Sequence, residues 1–182
     1  MSSDQSLERV RPLLRTRQVR EFTAEPPTDE ELEALTDVAR WSGSSRNSQP
    51  WRFIVIRDRE TIKRIHDVGV PQTRSLLTAP AAIAITLSGD EGDVEHAYDE
   101  GRAAERLLIS AGLLGLAAGV AWIVRRVRAE VGQILGLPAD RFVRTVVAVG
   151  HATEAAERPK SAPGAARLPR SETVFSEGWP QD

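Results

Sequence analysis

Residues 107–124, LLISAGLLGLAAGVAWIV, run for eighteen positions without a charge. A run of that length reaches the threshold for a transmembrane helix. Ser110 and three glycines, Gly112, Gly115 and Gly119, dilute it, and Glu100, Arg102, Glu105 and Arg106 flank it on the N-terminal side. Small residues at helical spacing let another backbone come close, which suits a helix buried against other helices or against a partner subunit. Nothing else in the composition supports a membrane span. A central buried helix is therefore expected, stopped by Gly119 and followed by a short buried strand over 120–124.

A chain of 182 residues is expected to form one domain, 1–182, burying about 70% of its unfolded surface. With 24 basic and 26 acidic residues the net charge is −2, which gives no electrostatic case for nucleic acid or an anionic membrane. The N-terminus is polar and has no apolar leader, so a cytoplasmic protein is expected. Zero cysteines exclude disulfides, thiolate catalysis and cysteine-ligated metal centres together.

Residues 1–6 are polar and expected to fray, with a helix over 7–14 despite Pro12. Arg15, Arg17 and Arg20 then fall within six residues, and planar guanidiniums so placed can clamp an anion. If extended, this segment puts Arg17 and Val19 on one side and Gln18 and Arg20 on the other. Thr28-Asp29-Glu30-Glu31 has the form of a capping box and opens an amphipathic helix ending at Trp41. Residues 42–50, SGSSRNSQP, are almost pure hydrogen-bonding capacity and lead into the strand WRFIVI. Such a loop on a core strand is where a rigid scaffold commonly presents a binding site.

Asp58 can cap a helix over 59–68, and residues 81–87 form an apolar strand buried on both faces. Asp90, Glu91, Asp93 and Glu95 suit the acidic first turn of the central helix better than a metal site. Val127, Val131, Ile134 and Leu135 mark a further helix, closed by Gly136 and Pro138, and residues 143–149 another strand. Residues 154–182, with Pro159, Pro163, Gly164 and Pro169, read as an extended arm whose Val174, Phe175 and Trp179 can pin its end to a surface.

His66, His96 and His151 lack metal-ligand spacing, so no metal site is assigned. There is no nucleophile elbow, P-loop or dinucleotide fingerprint, and no acid–base pair stands out. An arginine clamp and a polar loop without a protein nucleophile suggest that a bound cofactor carries the chemistry.

Arg17-Gln18-Val19-Arg20-Glu21-Phe22 resembles the Arg-Ser-x-Arg-x-Phe opening of the FMN-dependent nitroreductase family. Gly43-Ser44-Ser45-Arg46-Asn47-Ser48-Gln49-Pro50-Trp51-Arg52-Phe53 is similar to that family's Pro-Ser-Ser-x-Asn-x-Gln-Pro-Trp-x-Phe loop and strand, a long and specific match. Leu76-Leu77-Thr78-Ala79-Pro80, Gly115-Leu116 through Trp122-Ile123, and Arg167-Leu168-Pro169-Arg170 follow in the family's order, so the resemblance covers nearly the whole chain.

The resemblance implies an α+β fold, a mixed sheet flanked by helices, in an intertwined homodimer whose long central helices pack across the interface. It implies FMN as cofactor, NAD(P)H as electron donor, and a small-molecule acceptor of nitroaromatic or quinone type reduced by a ping-pong route. By similarity, Arg17 and Gln18 approach the FMN phosphate and ribityl chain, and Arg20 the pyrimidine edge of the ring. Ser44, Ser45 and Asn47 reach the same cofactor from the opposite subunit, and Gln72 stands near the ring. A backbone N–H at Ile123 or Val124 faces the flavin N5 position, Arg167 or Arg170 completes the phosphate site, and the C-terminal arm embraces the partner. The chain departs from the pattern in having Thr16 for a common arginine, Gln18 for serine and Gly43 for proline, with no basic residue following Gln72. These departures leave room for a deazaflavin or another flavin reaction, or for a non-catalytic flavin-binding dimer. The shortness of the chain implies a reduced substrate lid and an open site of loose specificity.

Overall fold

The structure is a computed structural model and describes residues 3–158 and 167–180. Helix α1, Ser3–Leu14, begins four residues earlier than the sequence suggests, so residues 3–6, expected to fray, are helical. In α2, Asp29–Arg40, the capping box forms as expected: Glu31 N donates to the Thr28 hydroxyl at 3.2 Å and Thr28 N to the Glu31 carboxylate at 2.7 Å. Strand β1 spans Trp51–Ile56, and α3, Arg59–Gly69, starts on the Asp58 carboxylate, which accepts from Glu60 N and Thr61 N. The Thr61 hydroxyl, together with those backbone donors, holds the Asp58 carboxyl below its ordinary range. Next come β2, Ala81–Ser88, α4, Val94–Leu113, β3, Ala117–Trp122, α5, Arg128–Ile134, and β4, Arg141–Gly150.

The sheet runs β1-β2-β4-β3, and each neighbouring pair is antiparallel. The fold class is the expected α+β. Among the described residues, however, the parallel component of the sheet is confined to one bridge, Gln18 with Ala118, beside edge strand β3. Central strand β2 shows why its sequence is continuously apolar. Ala81, Ile83, Ile85 and Leu87 face α2 and α4, whereas Ala82 and Ala84 share the opposite core with Val19, Phe22, Ile62, Ile65 and Val131. Helices thus cover both faces of the sheet.

The uncharged run is divided between two elements. Residues 107–113 complete α4, Gly115 turns the chain with φ 77°, and 117–122 become β3. No helix among the described residues is long and apolar enough to cross a membrane. Gly119 is therefore not a helix stop: it lies within β3, where a Cβ would overlap the Val19 carbonyl oxygen. The turn falls to Gly115 because only there does the chain need a left-handed residue after the helix. The strand starts at Ala117 and ends at Trp122, short of the expected Val124.

The C-terminal arm is less extended than its prolines suggest. Thr153 caps a helical turn, α6, Glu154–Glu157, and Arg170–Thr173 forms another, α7. Pro159, Pro163 and Gly164 lie outside the described residues. Phe175 packs edge-to-face on Trp179, their centroids 4.8 Å apart. Trp179 is 78% exposed, so among the described residues it does not pin the tail onto a surface as expected.

Candidate functional site

The basic segment is laid along β3 by its own backbone. Val19 N donates to Ala118 O at 2.8 Å, Phe22 N to the Thr78 hydroxyl at 2.9 Å, and the Gln18 side-chain oxygen accepts from Val120 N at 3.4 Å. Val19 and Phe22 enter the core, which turns Arg17, Gln18 and Arg20 outward. The simple alternation expected here is therefore broken, because Arg17 does not share Val19's buried side. Its guanidinium instead donates to the Glu157 carbonyl at the end of α6. Residues 17–21, with Ala155 and Ala156, line a cavity of about 410 Å³. A neighbouring cavity of about 290 Å³ runs from Arg15, Thr16 and Arg17 to Gly112 and Leu113 at the end of α4. Arg17 borders both. A guanidinium carries five N–H donors, so Arg17 keeps most of its capacity for an anion.

The polar loop is tightly closed. The Ser44 hydroxyl accepts from Gln49 N at 2.9 Å, Asn47 N donates to Ser44 O at 3.1 Å, and Ser48 N to Ser45 O at 2.9 Å. Arg46, Asn47 and Gln49 have φ of 51°, 56° and 48°. Left-handed backbone in a non-glycine residue costs roughly 1–3 kcal/mol and is characteristic of binding sites held by surrounding structure. Holding this loop is a buried carboxylate that sequence reading missed: Asp99 on α4 accepts from Ser45 N at 3.0 Å. Arg46 and Asn47 project into solvent, whereas Ser44 and Ser45 are half-buried.

A third group lies at the other end of β3. His66 donates through Nδ1 to Thr73 O at 3.1 Å, and the Thr73 hydroxyl donates back to His66 O at 2.8 Å, both within the core. This clamp presents exposed Gln72, whose carbonyl accepts from Trp122 N at 3.4 Å. Arg128 lies over the Trp122 ring at 5.9 Å, donates to Ile123 O at 3.0 Å and pairs with Glu91 at 2.9 Å. Ile123 itself is fully buried and its N–H donates to Arg144 O at 2.8 Å. Of the two backbone donors anticipated here, Ile123 is thus already engaged by β4, whereas half-buried Val124 makes no backbone bond through its N–H among the described residues.

Among the described residues, the expected site residues do not converge within the chain. Arg17, Gln18, Arg20 and Gln72 follow edge strand β3, whereas Ser44, Ser45 and Asn47 precede edge strand β1. Three inter-strand gaps, roughly 14 Å, separate those edges. Arg167 and Arg170 are exposed around the start of α7. No cluster of His, Asp or Glu among the described residues could hold a metal ion. Glu100 and Arg144, which pair at 2.6 Å in the core, also escaped sequence reading. Glu100 had a signal, because it continues backward the stripe of buried residues 103, 104, 107, 108 and 111.

Comparison with known proteins places this geometry. The model of the nitroreductase family matches residues 13–76, which contain the basic segment, the polar loop and Gln72. An inferred NADH dehydrogenase/NAD(P)H nitroreductase from Archaeoglobus fulgidus is 30% identical over 144 residues, 74% of this chain and 80% of that protein. Among solved structures, an FMN-dependent nitroreductase from Clostridium difficile superposes with a TM-score of 0.80 at 22% identity, over 92% of this chain and 99% of that one. The NADPH:FMN oxidoreductase from Vibrio harveyi complexed with NAD+ gives 0.78 at 22% identity, over 94% and 78%. The structures share the fold, the family model covers the N-terminal third with the basic segment and the polar loop, and the Archaeoglobus relative extends the likeness across most of the chain: this chain belongs to the nitroreductase family.

Proposed function

We propose that this chain is an FMN-dependent oxidoreductase, a single domain acting as a cytoplasmic homodimer. It takes hydride from NAD(P)H and reduces nitroaromatic, quinone-type or related small acceptors by a ping-pong route. The observation that carries this reading is the division of the site: an anion-binding segment on β3 and a strained polar loop before β1 lie on opposite edges of one sheet. A second copy can bring one edge of each protomer to the other, making two equivalent sites. Tyr98 on α4, Leu14 on α1 and Trp41 after α2 are 73%, 69% and 72% exposed, so apolar surface is available for that pairing.

The donor set fits FMN. The exposed guanidinium of Arg17, with Arg167 or Arg170, suits a phosphate dianion and that of Arg20 the pyrimidine edge of the ring, while Gln18, Ser44, Ser45, Asn47 and Gln72 offer the hydroxyls and amides that ribityl oxygens and the ring require. Bound there, the flavin supplies the two-electron chemistry that no side chain of this protein provides. The protein's part is to bind, orient and polarise. Arg20 would place a cation where a reduced flavin carries negative charge, the Val124 N–H would be a donor toward the ring, and the His66–Thr73 clamp would fix Gln72 beside it. A ping-pong route would require donor and acceptor to use one site over the flavin in turn.

The visible spectrum of freshly purified protein tests the proposal. Flavin bands that bleach on anaerobic addition of NADPH or NADH are expected. Bands that do not bleach would favour a flavin carrier, and a colourless protein that takes up no added FMN would sink the reading. Arg20→Ala is expected to weaken FMN binding by about 1–3 kcal/mol, roughly five- to 150-fold, in a flavin titration. Unchanged affinity would remove Arg20 from the site.

A further inference from the structure

The 3-10 turn Ser45–Asn47 has an N-cap residue, Ser44, whose hydroxyl makes no capping bond because it accepts from Gln49 N instead. The first N–H of the turn is capped from another element, by Asp99 Oδ2 of α4 at 3.0 Å. Asp99 is 2% exposed, and a carboxylate so buried persists only where donors compensate its lost hydration. Its other oxygen lies 3.7 Å from Arg102, and Arg102 also covers the base of the loop, since a Cβ at Gly43 would overlap its guanidinium. The adjacent acid, Glu100, turns instead to Arg144 of β4. The two successive buried carboxylates of α4 thus have separate duties, one toward the sheet and one toward the loop.

We infer that Asp99, backed by Arg102, is a positioning residue: its charge-assisted bond to Ser45 N holds the loop 43–49, with Arg46, Asn47 and Gln49 left-handed, in the shape that presents Ser44, Ser45 and Asn47 to ligand. The ligand half of this inference rests on the FMN reading, but the conformational half does not. Three left-handed residues in four positions are unfavourable in isolation, so an external anchor is required, and Asp99 is the buried group that reaches the turn. Because Asp99 and Arg102 belong to α4, the loop at one sheet edge is set by the same helix that carries exposed Tyr98.

Residue-resolved amide exchange on the full-length protein, paired with FMN titration, tests this. Asp99→Ala is expected to speed exchange at Ser45 and the following loop amides about tenfold or more, leave β2 protected, and weaken FMN binding about tenfold. Asp99→Asn keeps an acceptor without the charge, so loop protection and affinity should fall between the wild-type and alanine values. That graded rescue would not follow from a general loss of stability. Unchanged exchange at Ser45 in Asp99→Ala overturns the inference, as does a loosened loop with unchanged FMN affinity. Should the alanine variant fail to fold, Asp99→Asn decides by itself: faster exchange confined to the loop supports the anchor, and none refutes it. If the wild-type protein takes up no FMN, the flavin reading fails while the exchange data still settle the loop's dependence on Asp99.

Discussion

Replacing Glu100 with alanine is expected to destabilise the fold by about 3–5 kcal/mol, measured as a shift of the urea unfolding midpoint at constant slope. Glu100 and Arg144 are 3% and 7% exposed, with Nε and Oε2 2.6 Å apart. The pair links the middle of α4 to β4, the strand next to β3, and Arg144 also donates to Glu91 O at 3.2 Å and lies 5.6 Å from the Phe142 ring. Removing the carboxylate leaves a guanidinium that always carries its charge, in the core, with a carbonyl and a ring face but no counter-charge. Desolvation decides the size of the loss. A net stability of about 5–15 kcal/mol is ordinary for a domain, so the variant should retain only a fraction of it. Removing both charges should be milder: Glu100→Leu with Arg144→Met ought to recover much of the loss, because no ion is then stranded. A single variant that loses less than about 1 kcal/mol would show that the pair does not anchor α4 to the sheet.

Much of the architecture was legible where one local signal decided the outcome. The capping box at Thr28, the Asp58 cap and the apolar runs of β1 and β2 each specify their element without help from distant residues. The run over 107–124 was legible as buried but not in its turning point. Gly115 and Gly119 are both glycines in an uncharged stretch, and only the approach of Val19's backbone assigns Gly119 to a strand. Glu100 continues an apolar stripe, but its partner sits 44 positions away in β4, so the pair escaped sequence reading. The motif residues of the site were likewise readable one by one. Their separation to opposite edges was not, because it follows from the non-sequential strand order β1-β2-β4-β3. The engagement of Ile123 N–H by Arg144 O has the same origin, since it depends on how β3 and β4 register.

Gly119→Ala is the smallest change expected to dismantle the basic half of the site. Gly119 lies inside β3 and is not among the positive-φ glycines, so its requirement is for space rather than for backbone freedom. In an unconstrained position, glycine to alanine stabilises by about 0.4–1 kcal/mol through the unfolded chain. Here the sign reverses. The added Cβ would overlap Val19 O, with Val19 C at 3.1 Å and Ser75 Cβ at 3.2 Å. The first of these is backbone and cannot rotate away, and Ser75 is 2% exposed within the turn Arg74–Leu76. The segment must therefore lift from β3, weakening the 2.8 Å bond from Val19 N to Ala118 O and the bridge at Gln18. Overpacking of this kind costs about 1–3 kcal/mol, which sets the expected fall in stability. The functional loss should be comparable, because Arg17, Gln18 and Arg20 move together and a binding group displaced by about 1 Å loses much of its directed bonding. Thermal unfolding, Val19 amide exchange and FMN titration should show lowered stability, lost protection at Val19 and FMN affinity reduced by at least about tenfold. A variant with normal Val19 protection and normal affinity would show that the segment has room over β3. A protected Val19 with lost affinity would instead place the FMN contact on β3 itself and not on the arginines beside it.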